Sequence, residues 1–192
     1  MSKLQKLIVC GVGGQGVTYT VRLLMRAAVI GGISVNTDEI HGLSQRGGVV
    51  NAGITFGEAG HGYVDEGEAD YLIGLEKLEA QRCIRFLNPD SRVVIDNTKL
   101  TPFTVNSGAS EYPDTEQFIQ RLKENIAELI FIKDSPDINR KLRSYYVLGV
   151  ASTLENFPIK AQFILQAIEE IARKKSLQES IDAFNLGIES WG

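Results

Sequence analysis

Two short loops hold the residue types that do chemistry. The first, Gly11-Val12-Gly13-Gly14-Gln15-Gly16, fits G-x-G-x-x-G directly behind an apolar strand and at the start of a helix. Glycines permit a tight turn and a close backbone approach, and the free N–H groups and positive dipole end of the helix attract an anion. The second, Glu39-Ile40-His41-Gly42-Leu43-Ser44-Gln45-Arg46-Gly47-Gly48, gathers a carboxylate, an imidazole, a hydroxyl, an amide and a guanidinium between two strands. Arg46 is suited to bidentate binding of a phosphate or carboxylate. A loop after the second strand of a doubly wound sheet lies beside the one after the first, on the carboxyl edge, so both share one anion-ready surface. The candidate binding residues are therefore Gly11, Gly13, Gly14, Gln15, Gly16, Glu39, His41, Ser44, Gln45, Arg46 and Gly47. None is expected to act as a nucleophile, and the sequence assigns His41 no acid–base partner.

The glycine loop by itself leaves two readings open. In one it binds the pyrophosphate of a nicotinamide or flavin nucleotide, with Asp38 or Glu39, 22 and 23 residues after Gly16, near the place of a ribose-binding acid. In the other the glycines only let helix pack closely on strand, and the second loop is a structural loop or a subunit contact.

Bulk properties narrow the classes. The chain has 192 residues, 43% hydrophobic and 23% charged, which suits a globular α/β domain with its own core. No window approaches the ~18–20 uninterrupted apolar residues of a membrane span. Residues 1–6 run straight into an apolar strand with no cleavage site of small residues, so a signal peptide is not expected and the cytoplasm is. A net charge of −4 argues against nucleic acid as a partner. The two cysteines, Cys10 and Cys83, and two histidines, His41 and His61, point to a reducing compartment without a disulfide framework. They fall short of the four thiolates of a [4Fe–4S] cluster and lack zinc-site spacing.

The elements that must position the loops follow from periodicity. Leu4–Cys10 reads as a buried strand and Val17–Ile30 as a helix stopped by Gly31-Gly32. Ile33–Thr37 reads as a second strand, at the right distance for a parallel crossover. Further strands are expected at 49–56, 70–74, 92–95 and 129–132, with helices at 75–87 and 115–126 and an irregular stretch at 101–113. From Asp137 only helix is expected: 138–154 broken at Gly149, 160–174, and 176–188 with Ser176 and Glu179 spaced as a capping box. The fold expected is α/β, a three-layer Rossmann-like sandwich with a mostly parallel sheet and a helical C-terminal tail. Residues 1–192 form one domain in this reading, the sheet part at 1–136 and the tail at 137–192 packed on it.

G-V-G-G-Q-G-V at 11–17 followed by E-I-H-G-L-S-Q-R-G-G at 39–48 resembles the gamma domain of the pyruvate/2-oxoacid ferredoxin oxidoreductases, most closely the indolepyruvate type. The likeness continues through Glu66–Asp70, Leu75–Ala80, Asn97-Thr98 and Ala183–Gly187, and so covers most of the chain. Residues 60–65 depart from the family's pattern, which has a small–Pro–hydrophobic stretch there. The resemblance implies a non-thiamine-binding subunit that is inactive alone. It implies a large partner holding thiamine diphosphate, Mg and [4Fe–4S] clusters, with ferredoxin as the acceptor. It implies oxidative decarboxylation of an aryl 2-oxoacid with coenzyme A, which the glycine loops of this chain help to receive. The alternatives carried beside it are a stand-alone NAD- or FAD-binding protein and a purely assembly role for both loops. A homodimer of the isolated chain, and Phe103, Tyr112 and Trp191 as interface anchors, are further expectations.

Overall fold

The computed structural model describes residues 4–41, 49–58, 61–101, 105, 107–109, 111–134 and 136–192, with the backbone alone at 39–41 and 49. Among these residues six strands form one sheet in the order β2-β3-β1-β4-β5-β6. They are β1 Gln5–Val12, β2 Val35–His41, β3 Val49–Phe56, β4 Ala69–Gly74, β5 Leu87–Asp96 and β6 Glu128–Ile132. β1, β4, β5 and β6 pair in parallel, while β3 runs antiparallel to both β1 and β2. Only β3 is reversed, so the mostly parallel sheet expected from the sequence is present.

β1 is buried on both faces, which is why Leu7-Ile8-Val9-Cys10 reads as a continuous apolar run. Leu7 and Val9 face one core together with α1 (Val17–Ile30), α4 (Arg143–Ala151), α5 (Ala161–Ile171) and α6 (Leu177–Trp191). Ile8 and Cys10 face a second, smaller core with α2 (Lys77–Arg82) and α3 (Glu116–Asn125). Helices thus cover both faces, giving the three layers expected, and the C-terminal helices share the larger core.

α1 ends as its two glycines dictate. Gly32 takes φ +68°, and its N–H and that of Ile33 return to the carbonyls of Val29 and Ala28, the reciprocal closure of a Schellman turn. α4 is buried from Ser144 to Ala151 and is not broken at Gly149, contrary to the sequence expectation. A β-carbon on Gly149 would stand 2.1 Å from the Phe184 carbonyl oxygen, and one on Gly187 2.2 Å from that of Tyr146. Both glycines serve backbone-to-backbone packing of α4 on α6. The Ser176 capping box does not form either, since its hydroxyl turns back to the Arg173 carbonyl.

Three further differences concern the sheet. β2 extends to His41 because β3 supplies a partner for every residue from Val35 on, so polar Asp38–His41 are strand and not loop. The helix expected at 75–87 shrinks to α2 and a 3₁₀ turn at Ile84–Phe86, after which β5 starts at once. Pro89 is tolerated in β5 at a register shift against β4, where Ser91 Oγ accepts the Asn88 N–H and donates to the Ala69 carbonyl. No helix among the described residues is long and apolar enough to cross a membrane.

Candidate functional site

After β1 the chain crosses by α1 to β2 and returns by β3 on one side of the sheet, and β4, β5 and β6 extend the other side. The carboxyl ends of β1 and β4 therefore flank a topological switch point, where open α/β sheets bind their ligands. The glycine loop sits there. Gly14 and Gly16 both adopt φ +94°, which favours glycine, and Gly16 is the N-cap of α1. Gly11 is required by space, since a β-carbon on it would lie 2.9 Å from Gln15 Oε1 and 3.1 Å from Leu75 Cβ. Gly13 lies half-buried in the same turn.

Gln15 fixes the loop. Its Oε1 accepts the Val12 N–H at 2.7 Å, and its Nε2 donates to the Leu75 carbonyl, also at 2.7 Å. The Leu75 N–H in turn donates to the Cys10 carbonyl at 2.9 Å. The turns after β1 and β4 are thus stitched together across the switch point.

Behind Leu75 stands Glu76, wholly buried and capping α2. Its carboxylate accepts the N–H groups of Glu79 and Leu100 and the hydroxyl of Tyr112. Burial first, and then this hydrogen bond, push the Tyr112 phenol up. The ammonium of Lys99 lies 4.2 Å from the Tyr112 ring centre and that of Lys77 5.8 Å from it, so one ring gathers two cations. At the end of β5 the buried Asp96 takes a two-pronged ion pair from Arg143, 2.7 and 2.8 Å, which raises the guanidinium pKa.

That pair brings the start of α4 beside the glycine loop, with Ser144 against Gly16. A cleft of about 490 Å³ opens between them, within the usual range of small-molecule sites. Its lining includes Gly14, Gln15, Gly16, the Tyr19–Tyr145 pair with hydroxyls 2.8 Å apart, and three cations, Arg140, Lys141 and Arg173, against one carboxylate, Glu179. Burial, then the bond to Tyr145, raises the Tyr19 phenol. The N-termini of α1 and α4 both reach this cleft, so dipoles and side chains offer positive potential in a chain of net charge −4.

The structure brings Gly11, Gly13, Gly14, Gln15 and Gly16 together at one place. Gln15 uses its amide within the loop. Ser44, Gln45, Arg46 and Gly47 lie outside the described residues. Glu39 and His41 belong to β2, where their backbones pair with Ala52 and Val50 of β3. β3 intervenes between β1 and β2, which corrects the expectation that the two loops follow adjacent strands: β2 stands about 10 Å from β1 at ordinary strand spacing. The backbones of Asp38 and Glu39 register through Gly53 and Ala52 with those of Ile8 and Val9, short of the carboxyl end of β1. Val49, however, pairs with Val12, so the second loop re-enters the sheet next to the first. Tyr112 is tied to Glu76, Trp191 is exposed, and Phe103 is not described. Among the described residues no group of three or more His, Cys, Asp or Glu is placed to hold a metal ion.

The sequence reading missed Arg140, Lys141, Arg143, Arg173 and the tyrosine pair. A signal was present: the run Arg140-Lys141-Leu142-Arg143 follows the last strand, where a parallel sheet delivers its chain to the carboxyl edge.

A profile of the family described as pyruvate ferredoxin/flavodoxin oxidoreductase matches residues 6–190. The chain belongs to this family. It is 32% identical over 186 residues to the indolepyruvate oxidoreductase subunit IorB of Archaeoglobus fulgidus, covering 94% of this chain and 92% of the relative. It is 29% identical to the protein of the same name from Pyrococcus horikoshii, covering 98% and 96%. In fold it is similar to the keto/oxoacid ferredoxin oxidoreductase gamma subunit of Geobacter sulfurreducens, with a TM-score of 0.68 at 14% identity over 96% of each chain. It also superposes on 2-oxoglutarate:ferredoxin oxidoreductase of Magnetococcus marinus, TM-score 0.65 at 15% identity, over 98% of this chain and 31% of that one. The family's members similar to it are oxidoreductase subunits, and this chain is an enzyme subunit of that kind.

Proposed function

We propose that the chain is the thiamine-free small subunit of a cytoplasmic, ferredoxin-dependent 2-oxoacid oxidoreductase acting on indolepyruvate or another aryl 2-oxoacid. The complex oxidatively decarboxylates the oxoacid with coenzyme A, releasing an acyl-CoA and CO₂ and passing two electrons to ferredoxin. Thiamine diphosphate with Mg supplies the decarboxylation chemistry and [4Fe–4S] clusters the electron path, all on a large partner subunit. The small subunit positions coenzyme A and the partner. Names and identities of the relatives support this reading. The observation that carries the chain's own part is the cationic cleft at the switch point, where Arg140, Lys141 and Arg173 surround the N-termini of α1 and α4.

In this role the glycine loop and α4 offer backbone N–H groups to phosphate, and the three cations neutralise the charge that remains. Tyr19 and Tyr145 give the nucleotide end a flat apolar wall. The Gln15 brace and the Asp96–Arg143 pair hold the two sides of the cleft at fixed separation, so coenzyme A meets a rigid seat.

The test is steady-state kinetics of the assembled enzyme carrying Arg140→Ala or Arg173→Ala. Each is expected to raise the KM for coenzyme A about tenfold, the loss of one charge-assisted contact, with kcat and the KM for the oxoacid little changed. An unchanged KM for coenzyme A in the double variant would assign the cleft to subunit contact instead.

A further inference from the structure

The cleft beside the glycine loop has two chemically different ends. Gly14, Gln15, Arg140 and Ser144 line both the cleft and a small hollow that continues over Leu75, Asp96 and Thr98, so this end opens on the carboxyl edge of the sheet. Tyr19, Arg173, Ser176, Glu179 and Ser180 line the cleft but not the hollow. At the first end the backbone of the glycine loop joins Arg140, a combination suited to a diphosphate bridge.

The second end is built by one short piece of chain. α5 stops at Ile171, and the turn that leads into α6 carries three consecutive cations, Arg173-Lys174-Lys175. The first turn of α6 then presents Glu179, the one carboxylate among the described residues that line the cleft. The buried Ser180 hydroxyl donates to the Ser176 carbonyl at 2.7 Å, and the Ser176 N–H donates to the Arg173 carbonyl at 2.9 Å. These bonds fix the backbone that carries Arg173 relative to the backbone that carries Glu179.

A carboxylate weakens a site built for phosphate alone, so Glu179 asks for a reason of its own. Nucleotide sites supply one. An acid accepts a hydroxyl of an unphosphorylated ribose, and an arginine serves where the ribose carries a phosphate. Here both groups stand at one end of one cleft, which fits a ribose with one phosphorylated and one free hydroxyl.

We propose that Arg173 and Glu179 read the ribose of coenzyme A, Arg173 binding its 3′-phosphate and Glu179 accepting its 2′-hydroxyl. This rests on the reading that the cleft holds coenzyme A, and it places the adenosine end against α6 and the diphosphate at the glycine loop. A phosphate monoester carries about two negative charges, and Lys174 and Lys175 beside Arg173 supply positive potential to match. Glu179 also makes the site selective. A ribose phosphorylated at the 2′ position, as in NADPH, would set phosphate against carboxylate.

The experiment measures dissociation constants by calorimetry on the assembled enzyme, without oxoacid, for coenzyme A, 3′-dephospho-coenzyme A, 2′-deoxy-coenzyme A and NADPH. The unaltered enzyme should bind each of the other three about tenfold or more weakly than coenzyme A, the loss of one hydrogen bond to a charged group. Arg173→Ala should weaken coenzyme A about tenfold and leave the dephospho form unchanged, so that the two converge. Arg140→Ala should weaken both alike and keep their ratio, and Arg173→Lys should keep part of it. Glu179→Ala should erase the preference over the 2′-deoxy form. A ratio of coenzyme A to its dephospho form that survives Arg173→Ala, or a 2′-deoxy preference that survives Glu179→Ala, with coenzyme A still weakened by Arg140→Ala, would overturn the assignment and leave the cleft a coenzyme A site. An affinity for coenzyme A that neither arginine variant changes, or that falls below that for NADPH, would overturn the underlying reading as well.

Discussion

Replacing Gln15 by alanine removes the brace between the turns after β1 and β4. The Val12 N–H donates to this side chain and the Leu75 carbonyl accepts from it, at 2.7 Å each. Each bond lost leaves a backbone group to water that reaches it only partly, at a cost of about 1–2 kcal/mol. The sum is roughly 2–4 kcal/mol, which in a domain of this size lowers Tm by about 5–12 °C. Gln15→Glu separates the two bonds: it keeps an acceptor for Val12, loses the donor, and sets a carboxylate against the Leu75 carbonyl. Thermal and urea unfolding of the isolated chain measure both variants at pH 7. Alanine is expected to shift the urea midpoint with little change in slope, and glutamate to fall at least as far. A Tm for Gln15→Ala within about 1 °C of the unaltered chain would refute the reasoning, because solvent would then satisfy both groups as well as the amide does.

Two further outcomes follow from packing and charge. Gly149→Ala places a β-carbon 2.1 Å from the Phe184 carbonyl oxygen, so α4 and α6 must part; a loss of about 3 kcal/mol or more is expected in chemical denaturation, and an unchanged midpoint would deny the close helix contact. Burial raises the Glu79 carboxyl above its ordinary value, against a smaller opposing pull from Arg82. The folded state therefore binds the proton more tightly than the unfolded chain, and Glu79 lowers stability increasingly as pH rises from about 4.3, the unfolded value, through its raised folded value. Glu79→Gln should thus stabilise the chain at neutral pH and lose that advantage near pH 4, as stability curves at both pH values would reveal; equal effects at the two would contradict it.

The sequence made much of the frame legible for physical reasons that can be named. Val17–Ile30 was bounded correctly because an apolar stripe ended at two glycines, and Val49–Phe56 because alternation ended at a glycine turn. The place of β3 was not legible, since strand order depends on which edges find partners, and Asp38–His41 look like loop until β3 supplies their hydrogen bonds. Gly149 read as a break because propensity sees only the missing side chain; its reason lies on α6, far away in sequence. The glycine loop announced itself by spacing. The cations opposite it, Arg140, Lys141 and Arg173, come from two separate short turns that meet only when α4 and α6 pack on the sheet.

The most direct measurement of the central claim is an anaerobic affinity purification of the tagged chain from its own cells, assayed for iron, thiamine diphosphate and coenzyme A-dependent dye reduction with indolepyruvate. A large iron–sulfur protein is expected to co-elute, to carry that activity, to lose it when the small chain is stripped away and to regain it on readdition. A chain that elutes alone with a bound nicotinamide or flavin nucleotide, and adds nothing to any oxoacid-dependent activity, would contradict it.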